Sequence, residues 1–143
     1  MFGMFGHKFK PQAVQVEPLG SFTSDRFGCW NATTRFLKHN IGISFKCGDQ
    51  PPDGNAIAFF MQIEGSWDKL WSAILEDLQR EFAEDPTNSP AQFLREAHPV
   101  CFYFNSVALG SEEWEVELHP DLYGHLVTVH MRGLKYQGCS LDG

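Results

Sequence analysis

The chain has 143 residues, of which 43% are hydrophobic and 13 are Phe, a size and composition that fit one folded domain and argue against a disordered one. A domain of this length buries roughly 68% of the surface its unfolded chain exposes, so neither a disulfide nor a metal is needed for it to fold. The formal charge is −7, and because Lys8 and Lys10 are the only charged residues among the first 16, the remaining body carries −9; such a body repels phosphate backbones and anionic membrane surfaces and admits a basic protein as partner.

In chain order, residues 1–18 read as a flexible arm. Gly3, Gly6, Pro11 and Pro18 interrupt it, Val14 and Val16 could at most start an edge strand, and Met1, Phe2, Met4, Phe5 and Phe9 make it sticky enough to serve as a homo-oligomer contact. No signal-peptide order is present at this end and no run of about 18 apolar residues occurs anywhere, so a soluble, cytoplasmic protein is expected. Residues 33–37 predict a strand, His39-Asn40 a turn, and the alternation of Ile41, Ile43, Phe45 and Cys47 a half-buried strand. A turn cluster follows, Gly48-Asp49-Gln50-Pro51-Pro52-Asp53-Gly54. Ile57, Phe59, Met61 and Ile63 then alternate, which predicts a central strand.

Trp67, Leu70, Trp71, Ile74, Leu75, Leu78 and Phe82 recur at helical spacing, predicting one long amphipathic helix that Ser66 would cap and Asp85-Pro86 would end. Ser89-Pro90 opens a short second helix. Val100, Phe102 and Phe104 predict a strand; Trp114, Val116 and Leu118 another; and Val127, Val129 and Met131 its hairpin partner across a loop at residues 119–124. Residues 137–143 read as a loose C-terminal tail. The expected architecture is a single α+β domain over residues 19–136: a mainly antiparallel sheet with one long amphipathic helix and one short helix packed on one face.

Four cysteines, Cys29, Cys47, Cys101 and Cys139, form no CxxC pair, and Cys47 and Cys101 sit in apolar runs where a thiol packs as a small hydrophobe. Ser66-Trp67-Asp68-Lys69 matches the Ser-x-x-Lys pattern of serine acylases, but that class's companion motifs are missing and helix capping explains the serine. No nucleotide, zinc-protease or hydrolase motif occurs, and no cofactor is expected. The last hairpin gathers histidines and glutamates. If Leu118 pairs with His125, Glu113 lies opposite His130, and His119, His130 and Glu113 become candidate metal ligands for a small enzyme or ligand-binding domain. The leading expectation is instead an acidic docking surface for a basic protein. It would be made by Asp68, Glu76 and Asp77 on the helix and Glu113, Glu115 and Glu117 on the hairpin, with Trp114 or Trp30 anchoring its centre.

The succession of Leu19-Gly20, Trp30, the alternating strand to Cys47, the Pro-Pro-Asp-Gly turn, the segment 57–63 and the long helix resembles small uncharacterised bacterial domains, some of them immunity-like. That resemblance is one of layout over residues 19–131. It implies a binding role of immunity or antitoxin type rather than catalysis, and it assigns no residue.

Overall fold

A computed structural model of the protein describes residues 8–83 and 90–142. Eight strands follow one another in a single sheet whose spatial order is the sequence order. They are β1 (Ala13–Val16), β2 (Gly20–Ser24), β3 (Cys29–Phe36), β4 (His39–Lys46), β5 (His98–Ser106), β6 (Glu113–Leu122), β7 (His125–Arg132) and β8 (Lys135–Asp142). Every neighbouring pair is antiparallel except β4 and β5, which run parallel with Gly42 beside Cys101 and Phe45 beside Phe104. Parallel neighbours require a crossover. Here it carries the three helices, α1 (Gly54–Gly65), α2 (Trp67–Phe82) and α3 (Ala91–Glu96).

The protein is therefore a mixed α/β chain in which a mostly antiparallel sheet dominates. Period-two alternation explains how the sheet is covered. On β6, Trp114, Val116 and Leu118 are buried, while Glu113, Glu115 and Glu117 between them are not. The same alternation buries Trp30, Thr34 and Phe36 on β3, Ile41, Ile43 and Phe45 on β4, and Val127, Val129 and Met131 on β7. These side chains meet the apolar sides of α1 and α2. Phe60 of α1 packs edge-on against Phe102 and Phe104, and Trp67 of α2 meets Phe36 edge-on with ring centroids 5.1 Å apart. Phe45 and Phe104 stack at 4.6 Å across the parallel pair, so most of the abundant Phe serves one aromatic core.

Four expectations need correction. The segment 57–63 is not a strand but the middle of α1. Asp53 accepts a hydrogen bond from Ala56 N at 2.9 Å and so caps a helix. The buried residues Ala56, Phe59, Phe60 and Ile63 recur every three or four positions, whereas Ala58 and Met61 are exposed. The alternation that suggested a strand is a subset of that helical pattern. Ser66 makes no side-chain cap for α2. It sits at the corner between the two helices, where its N–H donates to Gln62 and its carbonyl accepts from Leu70 N.

Third, the turn between β3 and β4 falls on Leu37-Lys38, and His39-Asn40 begin β4. Fourth, neither end of the chain is a simple tail. Val14 and Val16 lie in β1, a four-residue edge strand laid along β2, and residues 137–142 belong to β8, paired with β7 through a bulge between His130 and Met131. The Phe-rich start of the expected arm and the Asp85-Pro86 and Ser89 signals fall outside the described residues. Phe9 is exposed. No helix among the described residues is long and apolar enough to cross a membrane.

Candidate functional site

The residues expected to form one acidic surface lie in two places. Of the three on α2, Glu76 is exposed opposite buried Leu70, Ile74 and Leu78, whereas Asp68 and Asp77 lie on the two flanks of the helix, so they do not share one side even there. Glu113, Glu115 and Glu117 project from the opposite side of the sheet, which no helix among the described residues covers. Trp114 cannot anchor a partner, because it is 1% exposed, faces the helices and donates its indole N–H to Gly133 O at 2.7 Å. Trp30 is buried in the same way and donates to Gly48 O. An indole whose only polar atom is satisfied inside the core belongs to folding.

The metal set is not assembled either. Leu118 pairs with Val127 rather than His125, a register two residues away from the expected one, because β6 continues to Leu122 and the chain turns at Tyr123-Gly124. A two-residue slip preserves faces but changes partners. Glu113 thus lies opposite Arg132, with a 2.6 Å ion pair, and Glu115 lies opposite His130 at 3.7 Å. His119 sits across the other side of β6, opposite His98. Among the described residues no group of three His, Cys, Asp or Glu side chains is arranged to hold a metal ion.

What the uncovered face does hold is a cross-strand polar ladder. Tyr103 of β5 donates to Glu117 at 3.2 Å, and Asn105 donates to Glu115 at 2.9 Å. His130 of β7 stands between Glu115 and Ser140 of β8, its Nε2 3.0 Å from the serine Oγ. Each glutamate of β6 therefore has a neighbour that fixes its carboxylate in the plane of the face, and the row reads as an ordered stripe running along one strand. Beside it, the Cys101 side chain contacts Gly42 on β4, where even a methyl group would come within 3.0 Å of the sulfur.

Three of the thiols sit where burial suppresses the thiolate. All four cysteines are unpaired and half-buried. Burial, reinforced by the charge of Asp53, pushes Cys47 up to about 11, and burial raises Cys101 and Cys139 as well. A thiol held above its ordinary value is protonated near neutrality and reacts slowly. Tyr103 is raised by its hydrogen bond with Cys101 and then by burial, so it stays a phenol and a donor to Glu117.

A second concave region lies at the end of the sheet where β4 and β5 start. The β3–β4 turn, the start of α2 and the start of β5 enclose a cleft of about 480 Å³, floored by Trp67 and Trp71 and flanked by Leu37, Lys38, His39 and His98. An adjoining groove of about 770 Å³ continues over the α1–α2 corner past Met61 and Gly65. Periodicity identified the two tryptophans only as core residues. Their neighbours come from segments 60 residues apart in the chain, a distance no local pattern reports. No protein-family model matches the chain, and no curated protein or solved structure is significantly similar to it.

Proposed function

We propose that the chain is a non-enzymatic protein-interaction domain of bacterial immunity or antitoxin type, and that it docks a basic partner on the uncovered face of its sheet. The observation that supports this reading is the ordered row of Glu113, Glu115 and Glu117 on that face, held by Arg132, Asn105, His130 and Tyr103. Fixing the carboxylates before binding lowers the entropy lost on association, and their shared sign steers a basic surface toward the strand. The acids of α2 lie elsewhere and play no part in this contact.

The test separates the two acidic regions. One variant carries Glu113→Lys, Glu115→Lys and Glu117→Lys; a second carries Asp68→Lys, Glu76→Lys and Asp77→Lys. Cross-linking capture from the source cells, with the recovered proteins identified by mass spectrometry, is expected to lose its partner with the first variant and keep it with the second. Equal recovery by wild type and the sheet variant would remove the reading.

A further inference from the structure

The cleft beside Trp71 carries three observations that the docking face does not use. The first is strain. Leu37 occupies a two-residue hairpin turn with φ 55, a left-handed conformation that a branched apolar residue adopts only when its surroundings impose it. The two-residue turn between Phe36 and His39 requires it, and Glu64 of α1 holds the turn in place by accepting a hydrogen bond from Leu37 N at 3.0 Å. The result is that Leu37, 47% exposed, stands at the cleft rim instead of in the core.

The second is the ring arrangement. Trp67 and Trp71 stack at 5.4 Å with planes 17° apart, and Trp67 is buried while Trp71 is only partly buried, so the pair offers part of one indole to the cleft. Opposite, His39 and His98 stack at 6.1 Å. His98 donates Nδ1–H to the Glu96 carbonyl at 3.0 Å, which fixes its ring. The third is charge. Lys38 and Asp68 both line this cleft, yet among the described residues neither forms an ion pair. One free positive and one free negative group thus flank an aromatic floor.

The geometry points to a binding site for a zwitterionic aromatic amino acid, with its ring against Trp71 and Leu37, its carboxylate toward Lys38 and its ammonium toward Asp68. The cleft, of about 480 Å³, is large enough to admit a ligand of that size. Contact with the accessible part of the Trp71 indole supplies the apolar attraction, and two separated charges of opposite sign select a zwitterion over a simple acid or amine. This site is independent of the docking face and stands or falls without it.

The test is a titration of the full chain with L-phenylalanine, which is transparent where tryptophan is excited, monitored by tryptophan emission and by nitrogen–proton NMR shifts. Saturable binding is expected, with shifts confined to residues 36–39, 64–71 and 97–99. Trp71→Ala and Lys38→Glu should each weaken it at least about tenfold, and 2-phenylethylamine and 3-phenylpropionate should each bind at least about tenfold more weakly than the amino acid, the loss expected for one charge-assisted contact. Lys38 is exposed in a surface turn, so its variant keeps the fold, which circular dichroism verifies. The assignment is overturned by no saturation up to roughly 10 mM ligand, by unchanged affinity in Lys38→Glu, or by shifts centred on another surface.

Discussion

The two faces of β6 present the same ten-residue strand to two different solvents. Trp114, Val116 and Leu118 meet helices and aromatic rings and are shut away from water. Glu113, Glu115 and Glu117, one position along in each case, meet water and a thin layer of polar neighbours. The backbone is common to both sets, so any difference in what a substitution costs must come from the side chains' surroundings. The covered face holds the fold, and the open face contributes less to it.

Breaking the comparison at its strongest point means Trp114→Ala. A large cavity beside Phe102, Phe104 and Phe59 and an orphaned Gly133 carbonyl are expected to cost about 3–5 kcal/mol in urea or thermal unfolding. A loss under about 1 kcal/mol would mean that the core collapses onto the space and that packing there is loose.

The open face is tightly packed where β4 meets β5. Gly42→Ala brings a methyl within 3.0 Å of Cys101 Sγ and is expected to destabilise by about 1 kcal/mol. In a Cys101→Ala background the sign should reverse, since alanine is the better strand residue once the sulfur is gone, with a gain of about 0.5 kcal/mol. A double-mutant cycle with no coupling would contradict the close approach.

Asp25 sharpens the comparison through pH, because it is only partly buried yet structurally bound. Its carboxylate accepts from Cys29 N, from Phe27 N at 2.8 Å and from Asn31 Nδ2, and these bonds, the one from Cys29 foremost, hold its pKa below the ordinary carboxylate value. A depressed pKa contributes stability that is complete above the unfolded value near ~3.9 and is lost as pH falls through the folded one. Asp25→Asn should therefore lower the unfolding midpoint at pH 7, and the gap from wild type should close as the pH drops below about 4. A gap that stays constant with pH would count against the carboxylate bonds.

The smallest effect belongs to the ladder itself. Glu115→Gln and Glu117→Gln are each expected to change stability by less than about 0.5 kcal/mol, because the contacts are solvent-screened and the amide keeps an acceptor. Larger losses would show that the ladder holds the fold.

Much of this was legible one strand at a time. Alternation located β4, β5, β6 and β7 and named the buried member of each pair, and the helical spacing from Trp67 to Phe82 named the buried side of α2. It failed where two periods overlap. Ile57, Phe59, Met61 and Ile63 satisfy a period of two, and only the Asp53 cap and the burial of Ala56 and Phe60 reveal the helix. Alternation placed Glu113, Glu115 and Glu117 together on one side of the hairpin, but it did not give their cross-strand partners. Register depends on where the chain turns, and the turn moved from a loop at residues 119–124 to Tyr123-Gly124.

The sequence by itself determined the acidic balance, the mainly antiparallel character and the residues that avoid water, since each follows from side-chain chemistry and short-range period. The tertiary structure alone decided that two acidic groups lie on opposite sides of the molecule and that Trp30 and Trp114 are buried donors. It also decided that Trp71, Leu37, Lys38 and His98 share a cleft. Those facts rest on which strand pairs with which and which face the helices cover. The parallel pairing that brings Gly42 beside Cys101 and the seating of the helices on one face join distant parts of the chain, and no periodicity within one segment encodes them.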